Sequence, residues 1–306
     1  MATPGITFNP ATDIPSLEGK VILITGTNCG LGKQAALELA RHKPAMIWMT
    51  ARNAEKGQEA ADDVVRQVPG AAVTFVQLDL ASFESIKKAV KTVLAKSSRL
   101  DVLMLNAGLM GAAPALTAEG YEIHMGTNHI GHALLLRLLT PLLLETAAAH
   151  PDTRVVTVAS AAFKHVGPEK IQFDTLKSLE GVKPVPRYLQ SKTANLLYTQ
   201  GLAQKYPALV FVSVDPGEVE TQLFKREPAD EQMRWVQTEV APKLWKPVEE
   251  GVKNQLWAAT APVASLVSGR HYEPVGKYEP VGLMLDAELA KDVWNWTEKE
   301  LEGQQL

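Results

Sequence analysis

Two residues in "PRYLQSKTANLLY" (186–198), Tyr188 and Lys192, have side chains able to move a proton. They lie four apart in a stretch that reads as helix, with Ala194, Leu196 and Leu197 giving it an apolar side. Residues at that spacing share a helical face, so a phenol and an ammonium would stand side by side. The same spacing also occurs on solvated helix faces. Chemistry is implied only if other groups converge on the pair.

A second candidate lies near the start of the chain. "ITGTNCGLGKQAALEL" places Gly26, Gly30 and Gly32 between an apolar run and a helical pattern. Glycines let backbone approach a pyrophosphate, and a helix N-terminus offers free N–H groups and a positive dipole end. A tight turn without ligand is the alternative. After the second apolar run, "MTARN", this fold class meets the adenine ribose. An acid there would suit NAD; Arg52 stands there instead, and Lys33 follows the glycines. Two cations suit a 2′-phosphate and predict NADP(H), unless Arg52 is a solvated loop residue.

His129 and His132, three apart, invite a metal reading. No matching carboxylate pattern accompanies them, so packing is the better account and no metal is expected. Cys29, the sole cysteine, reads as a spacer in the glycine loop and excludes an internal disulfide.

These residues need a scaffold, and the chain alternates strand-like with helical runs. Strands are expected at 20–25, 45–50, 72–78, 100–106, 154–160, 209–214 and 269–273. The first six are rich in Val, Ile, Leu and Met without alternation, as in strands buried on both faces. Repeated strand–helix units imply a parallel sheet with right-handed crossovers. The expectation is one α/β domain over 1–306, a Rossmann-type doubly wound sheet of about seven strands with helices on both faces. Its cofactor and catalytic core would span 19–225, with 246–306 completing the sheet and covering the site. "YEPVGKYEPVG" (272–282) gives a five-residue unit twice and reads as a turn-rich connection.

Composition excludes several classes. The 306 residues are 46% hydrophobic and 21% charged, with net charge −3, so no field draws nucleic acid or anionic membrane. "ALLLRLLTPLLL" (133–144) is short for a bilayer and reads as a buried helix. The N-terminus does not read as a signal peptide, so a cytoplasmic location is expected.

Together these motifs resemble the short-chain dehydrogenase/reductases, from about residue 19 to about 225. "TGTNCGLG" resembles their cofactor loop. "NAG" (106–108) matches apart from Leu105, which departs from the family's Asn. "TNHIGHALLL", "RVVTVAS", "YLQSK" and "DPGEVET" match in order. "NHIGHALL", "SKTANLLY" and the wide gap between Ser160 and Tyr188 look most similar to the retinol-dehydrogenase-like carbonyl reductases, fungal members included. The resemblance implies catalytic Asn128, Ser160, Tyr188 and Lys192. It implies cofactor contacts from Gly26, Thr27, Asn28, Cys29, Gly30, Leu31, Gly32, Lys33 and Arg52, then Asp79, Leu80, Asn106, Ala107 and Gly108. Tyr188, Lys192, Pro216, Gly217, Val219 and Thr221 would complete the cofactor site, the last two facing the nicotinamide carboxamide. An unperturbed phenol, with pKa about 10, is a poor acid–base near neutrality. Lys192 and the oxidised nicotinamide would lower it. Lys192 would also bond the ribose, Ser160 would hold the substrate oxygen, and Asn128 would anchor a water.

Two longer segments, 161–187 and 222–245, should lie beyond the strand C-termini, where ligands bind. The second carries Phe224, Trp235 and Trp245 and reads as a lid, or as a satellite cluster or oligomer contact. A lid would imply a bulky, mostly apolar ketone or alcohol. An imine reductase, or an NADP(H) sensor without turnover, stays open. The resemblance implies a homodimer or homotetramer paired through helices at 119–145 and 188–206. The alternative is a monomer whose C-terminal "DAELAKDVWNWTEKELEG" covers them.

Overall fold

The computed structural model describes residues 2–167, 170–181, 183–223 and 228–306. Strands β1 (Val21–Thr25), β2 (Met46–Ala51), β3 (Val73–Gln77), β4 (Val102–Leu105), β5 (Arg154–Val158), β6 (Val210–Val214) and β7 (His271–Tyr272) form one sheet. Its order is β3-β2-β1-β4-β5-β6-β7, and every pairing is parallel. The chain reverses direction across the sheet between β1 and β4, which opens a crevice at their C-terminal ends.

Helices cover both faces. In chain order they are α1 (Pro10–Asp13), α2 (Gly30–Ala40), α3 (Ala54–Gln67), α4 (Phe83–Leu94), α5 (Ile123–Met125) and α6 (Gly131–Ala149). There follow α7 (Pro184–Lys205), α8 (Glu231–Trp235), α9 (Ala241–Leu244), α10 (Val248–Gly251), α11 (Lys253–Thr260) and α12 (Ala287–Glu300). One core cluster sets Leu23, Leu103 and Val155 against α4, α6 and α7. The other sets Ile22, Ile24, Met104 and Val156 against α2 and α11. Alternate strand residues therefore serve opposite cores, which is why the strands read as continuous apolar runs. Burying one such Leu or Ile contributes about 1.5–3 kcal/mol.

Local chemistry fixes the element ends. Asn53 and Ser82 cap α3 and α4 by accepting from Lys56 N and Ser85 N. Gly57 lets α3 lie on the Phe75 ring; a Cβ there would stand 2.1 Å from Phe75 Cε2. The repeat at 272–282 is a turn at the end of β7, closed by the Glu273–Lys277 bridge.

Two features bear on the sequence reading. The apolar run 133–144 lies within the long helix expected at 119–145: α5, a π-turn at Gly126–Ile130 and α6 run continuously over Ile123–Ala149. Those 27 residues could cross a membrane by length and composition, but their most apolar 18-residue window is 78% buried in the fold. Second, α12 lies across α6 and α7, the helices the family resemblance assigns to subunit pairing. Trp294 stacks on Tyr198 at 5.2 Å. Arg137 binds Glu298 (2.6 Å) and the Leu301 carbonyl (2.8 Å).

Candidate active site

A groove of about 1010 Å³ runs along the crevice. Its floor is the glycine loop between β1 and α2. Gly26 and Gly30 have φ of +72° and +55°, where L side chains are strained. A Cβ on Gly26 would meet Ala107 Cα at 2.8 Å, and one on Gly32 would meet the Gly26 oxygen at 2.3 Å. Cys29 is the N-cap residue of α2 but makes no side-chain cap, so the first turn's N–H groups are not taken by it. Such a helix start suits an anion.

The loop is held from beneath by Thr25. Its hydroxyl accepts from Asn106 N and Ala107 N, both at 2.9 Å. The Asn106 amide donates to Thr25 O at 2.8 Å. Thr27 is buried and bonds the Thr50 carbonyl, so it ties the loop to β2 rather than lining the groove.

At one end of the groove the four residues singled out by the resemblance converge. Ser160 follows β5, and Tyr188 and Lys192 share one face of α7. Tyr188 is hydrogen-bonded to Ser160. Lys192 is 4% exposed, and its Nζ donates to the Val158 carbonyl at 2.8 Å. An ammonium has three N–H groups, and no other hydrogen bond from this one is found among the described residues. Gly108 sits over it: a Cβ there would stand 3.4 Å from Lys192 Nζ and 3.5 Å from Asn128 Oδ1.

Asn128 lies buried within the π-turn, and its side chain and carbonyl are hydrogen-bonded. Oδ1 accepts from Leu109 N (2.8 Å), while Nδ2 donates to Leu109 O (3.0 Å) and Ser191 Oγ (2.9 Å). Its carbonyl accepts from Asn195 Nδ2 and His132 Nδ1, both at 3.0 Å. A carbonyl has two lone pairs, so both are taken on that oxygen, and Oδ1, which accepts once, keeps one for the water expected on Asn128. Asn128 also clasps the loop after β4 to α7.

Burial and nearby acids set the ionisation of the pair. Lys192 Nζ is 6.0 Å from the Tyr188 ring centre, and burial, together with Glu218 and Asp215, pushes the phenol above its ordinary value. Burial lowers Lys192 to about 8, against the favourable field of Asp215. Burial likewise raises Asp215 to about 6.

At the other end, Arg52 is exposed, lines the groove and has no ion pair among the described residues. Lys33 lines the groove too, but it is bound to Asp63 on α3 at 2.6 Å. Asp63 also holds Arg66, and these two cations keep its carboxyl well below the usual range. The sequence reading missed this acid. Lys56, Glu59, Asp63 and Arg66 recur at helical spacing and were the available signal.

Other expected positions divide. Asn28, Leu31, Asp79, Leu80, Ala107, Pro216 and Thr221 line the groove. Val219 does not: it is 3% exposed and packed on Gly251, where a Cβ would stand 2.2 Å from its Cγ2. Gly217, with φ +76°, forms the turn beneath. In the lid, Met233 rather than Trp235 faces inward. Met233 is buried with Met110 and Tyr188, while Trp235 is 58% exposed on the outer side of α8. Gly111 makes room, since a Cβ there would be 2.5 Å from Met233 Sδ. Trp245 is half-buried. Phe224 lies outside the described residues.

Comparison with known proteins agrees with this geometry. A family profile described as short chain dehydrogenase matches residues 20–232. The chain belongs to the short-chain dehydrogenase family and is an oxidoreductase. An uncharacterised oxidoreductase of Schizosaccharomyces pombe is 34% identical, with 98% of this chain and 89% of that one covered. Human retinol dehydrogenase 11 is also 34% identical, over 85% of this chain and 79% of its own. Among solved structures, an uncharacterised Mycobacterium Paratuberculosis protein superposes with TM-score 0.72 and 30% identity, covering 97% of each chain. An NAD(P)-dependent gluconate 5-dehydrogenase of Beutenbergia cavernae, with NADP bound, superposes with TM-score 0.63 and 25% identity over 85% and 97%.

Proposed function

We propose that the protein is an NADP(H)-dependent reductase of bulky, mostly apolar ketones, with Tyr188 as the proton donor. The observation that carries this is the convergence of Ser160, Tyr188 and Lys192 at one end of a groove whose other end offers the Arg52 guanidinium, without an ion pair among the described residues. The groove fits the cofactor. The uncapped start of α2 suits the pyrophosphate, Arg52 the 2′-phosphate, and the spare N–H groups of Lys192 the nicotinamide ribose.

When bound, the nicotinamide supplies the hydride. The chain supplies the rest. Burial keeps the Tyr188 proton in place. Ser160, hydrogen-bonded to Tyr188, is positioned to hold the same carbonyl oxygen. As the carbonyl carbon is reduced, the phenol gives its proton to that oxygen. Lys192 offsets the phenolate left behind. Met110, Met233, Leu223, Val185 and Leu189 surround the phenol with apolar surface, which supports an apolar substrate.

Tyr188→Phe keeps the ring and removes the donor. Turnover of a ketone panel with NADPH should fall at least about a hundredfold, with NADPH affinity little changed. A variant at near wild-type rate refutes the role of Tyr188. A wild type that binds NADPH and reduces nothing in the panel favours the sensor.

A further inference from the structure

Behind the groove, Asn128 is the meeting point of two buried hydrogen-bond chains, and one begins on the C-terminal helix. Thr297 of α12 is fully buried, and its hydroxyl lies 2.8 Å from His129 Nε2. His129 Nδ1 is 3.0 Å from Asn195 Oδ1, and Asn195 Nδ2 donates to the Asn128 carbonyl at 3.0 Å. The second chain starts at Thr25, whose hydroxyl is 2.9 Å from His132 Nε2; His132 Nδ1 then reaches the same carbonyl.

The donors can be assigned throughout. The Asn128 carbonyl only accepts, so Asn195 presents Nδ2 to it and Oδ1 to His129. His129 must then carry its proton on Nδ1, which leaves Nε2 to accept from the Thr297 hydroxyl. Burial lowers His129 to about 4, so one nitrogen is bare at neutral pH. The same logic puts the His132 proton on Nδ1. Each polar group has a single satisfied orientation, and each orientation depends on the group before it.

We infer that α12 sets the position of Asn128 through Thr297, His129 and Asn195, making these three positioning residues for the active site. This rests on the assignment of Asn128 to that site. The π-turn gives the mechanism a point of purchase. It holds one more residue per turn than the flanking helix, and such insertions survive where the surroundings hold them. Without the Thr297 hydroxyl, His129 Nε2 has no donor. The imidazole is then free to take its other tautomer, the Asn195 amide to reverse, and the Asn128 carbonyl to lose a donor. Asn128 would loosen its grip on Leu109, and with it Gly108, which lies against the Lys192 ammonium.

The test compares Thr297→Val, Thr297→Ser and Glu298→Gln. Glu298 anchors α12 to Arg137 and Tyr198 but lies outside the relay. Thr297→Val should lower kcat roughly tenfold, the scale of one lost buried hydrogen bond, with NADPH affinity within about twofold of wild type. Thr297→Ser should restore kcat. Glu298→Gln should lower the melting temperature and leave kcat unchanged. Amide exchange gives a readout free of any substrate: the Leu109 N–H, held by Asn128 Oδ1, should exchange faster in Thr297→Val and not in Glu298→Gln. Wild-type kcat and Leu109 exchange in Thr297→Val would overturn the inference, as would equal loss of kcat in Glu298→Gln. If Tyr188→Phe kept its rate, the site assignment would fail instead, and Leu109 exchange would still decide the relay.

Discussion

Gly108→Ala separates the fold from the cofactor site. The backbone at Gly108 has no positive φ, so alanine fits its conformation. The new methyl would stand 3.4 Å from Lys192 Nζ and 3.5 Å from Asn128 Oδ1, ordinary contact distances. Replacing glycine at a compatible site stabilises by about 0.4–1 kcal/mol through the unfolded chain. In a chain of this size that moves Tm by about 1–3 °C. The methyl nevertheless projects into the groove, beside the ammonium proposed to bond the ribose. Losing one hydrogen bond to a charged group costs about 1.5–3 kcal/mol, so NADPH should bind about 10- to 150-fold more weakly. Calorimetric melting and a fluorescence titration of NADPH measure the two effects. A Tm at or above wild type with impaired binding is the expected result. Unchanged binding would mean that the groove at Gly108 is not where the cofactor lies. Gly26→Ala is the contrast: φ of +72° and a 2.8 Å approach to Ala107 Cα should cost stability as well.

Arg52→Asp should weaken NADPH by an order of magnitude or more and leave NADH nearly unaffected, whereas Asp63→Asn should raise the NADPH:NADH affinity ratio severalfold by freeing Lys33 and Arg66; parallel titrations check both. Light scattering at micromolar concentration should show a monomer, because α12 occupies the face that a dimer of the expected kind would use; a dimer would mean that another surface pairs. NADPH affinity should decline as pH rises through about 8, where Lys192 loses its proton, and Lys192→Met should remove that dependence. The same group gives stability a sign: its folded pKa is depressed, so between about 8 and its ordinary value the unfolded chain binds more protons, and Lys192's contribution to stability rises with pH across that window.

The strands were legible nearly to the residue, because burial on both faces leaves continuous apolar runs that turns interrupt. Ser160, Tyr188, Lys192 and the glycine loop were legible because each is a residue type at a fixed offset from a strand or on one helical turn. The π-turn was not. It adds one residue to a helix whose composition stays apolar throughout, so nothing in the pattern marks it. The Lys33–Asp63 pair joins residues thirty apart on neighbouring helices, a contact that only packing reveals. Trp235 was misplaced for a related reason. Met233 and Trp235 lie two apart and so point to different sides of the helix, and hydrophobicity alone favoured the larger side chain over Met233.

The sequence suggests a phenol made acidic by a neighbouring ammonium together with the oxidised nicotinamide, and the chain's own groups do not do this alone. Lys192 turns one N–H to Val158 and stands 6.0 Å from the ring centre, while Asp215 and Glu218 oppose ionisation. A base would have to rest as the phenolate, against burial and two acids. An acid need only hold its proton until the substrate oxygen gains enough charge to take it. On the proposed function, the resting site is thus primed as the acid that carbonyl reduction needs. Alcohol oxidation must first charge Tyr188, and the positive nicotinamide of the oxidised cofactor is the group whose charge would favour that step. The same geometry explains why a direct Tyr188–Lys192 bond is unnecessary. On the proposed function the ammonium, held beside the groove by Val158, faces the ribose and offsets the phenolate after proton transfer.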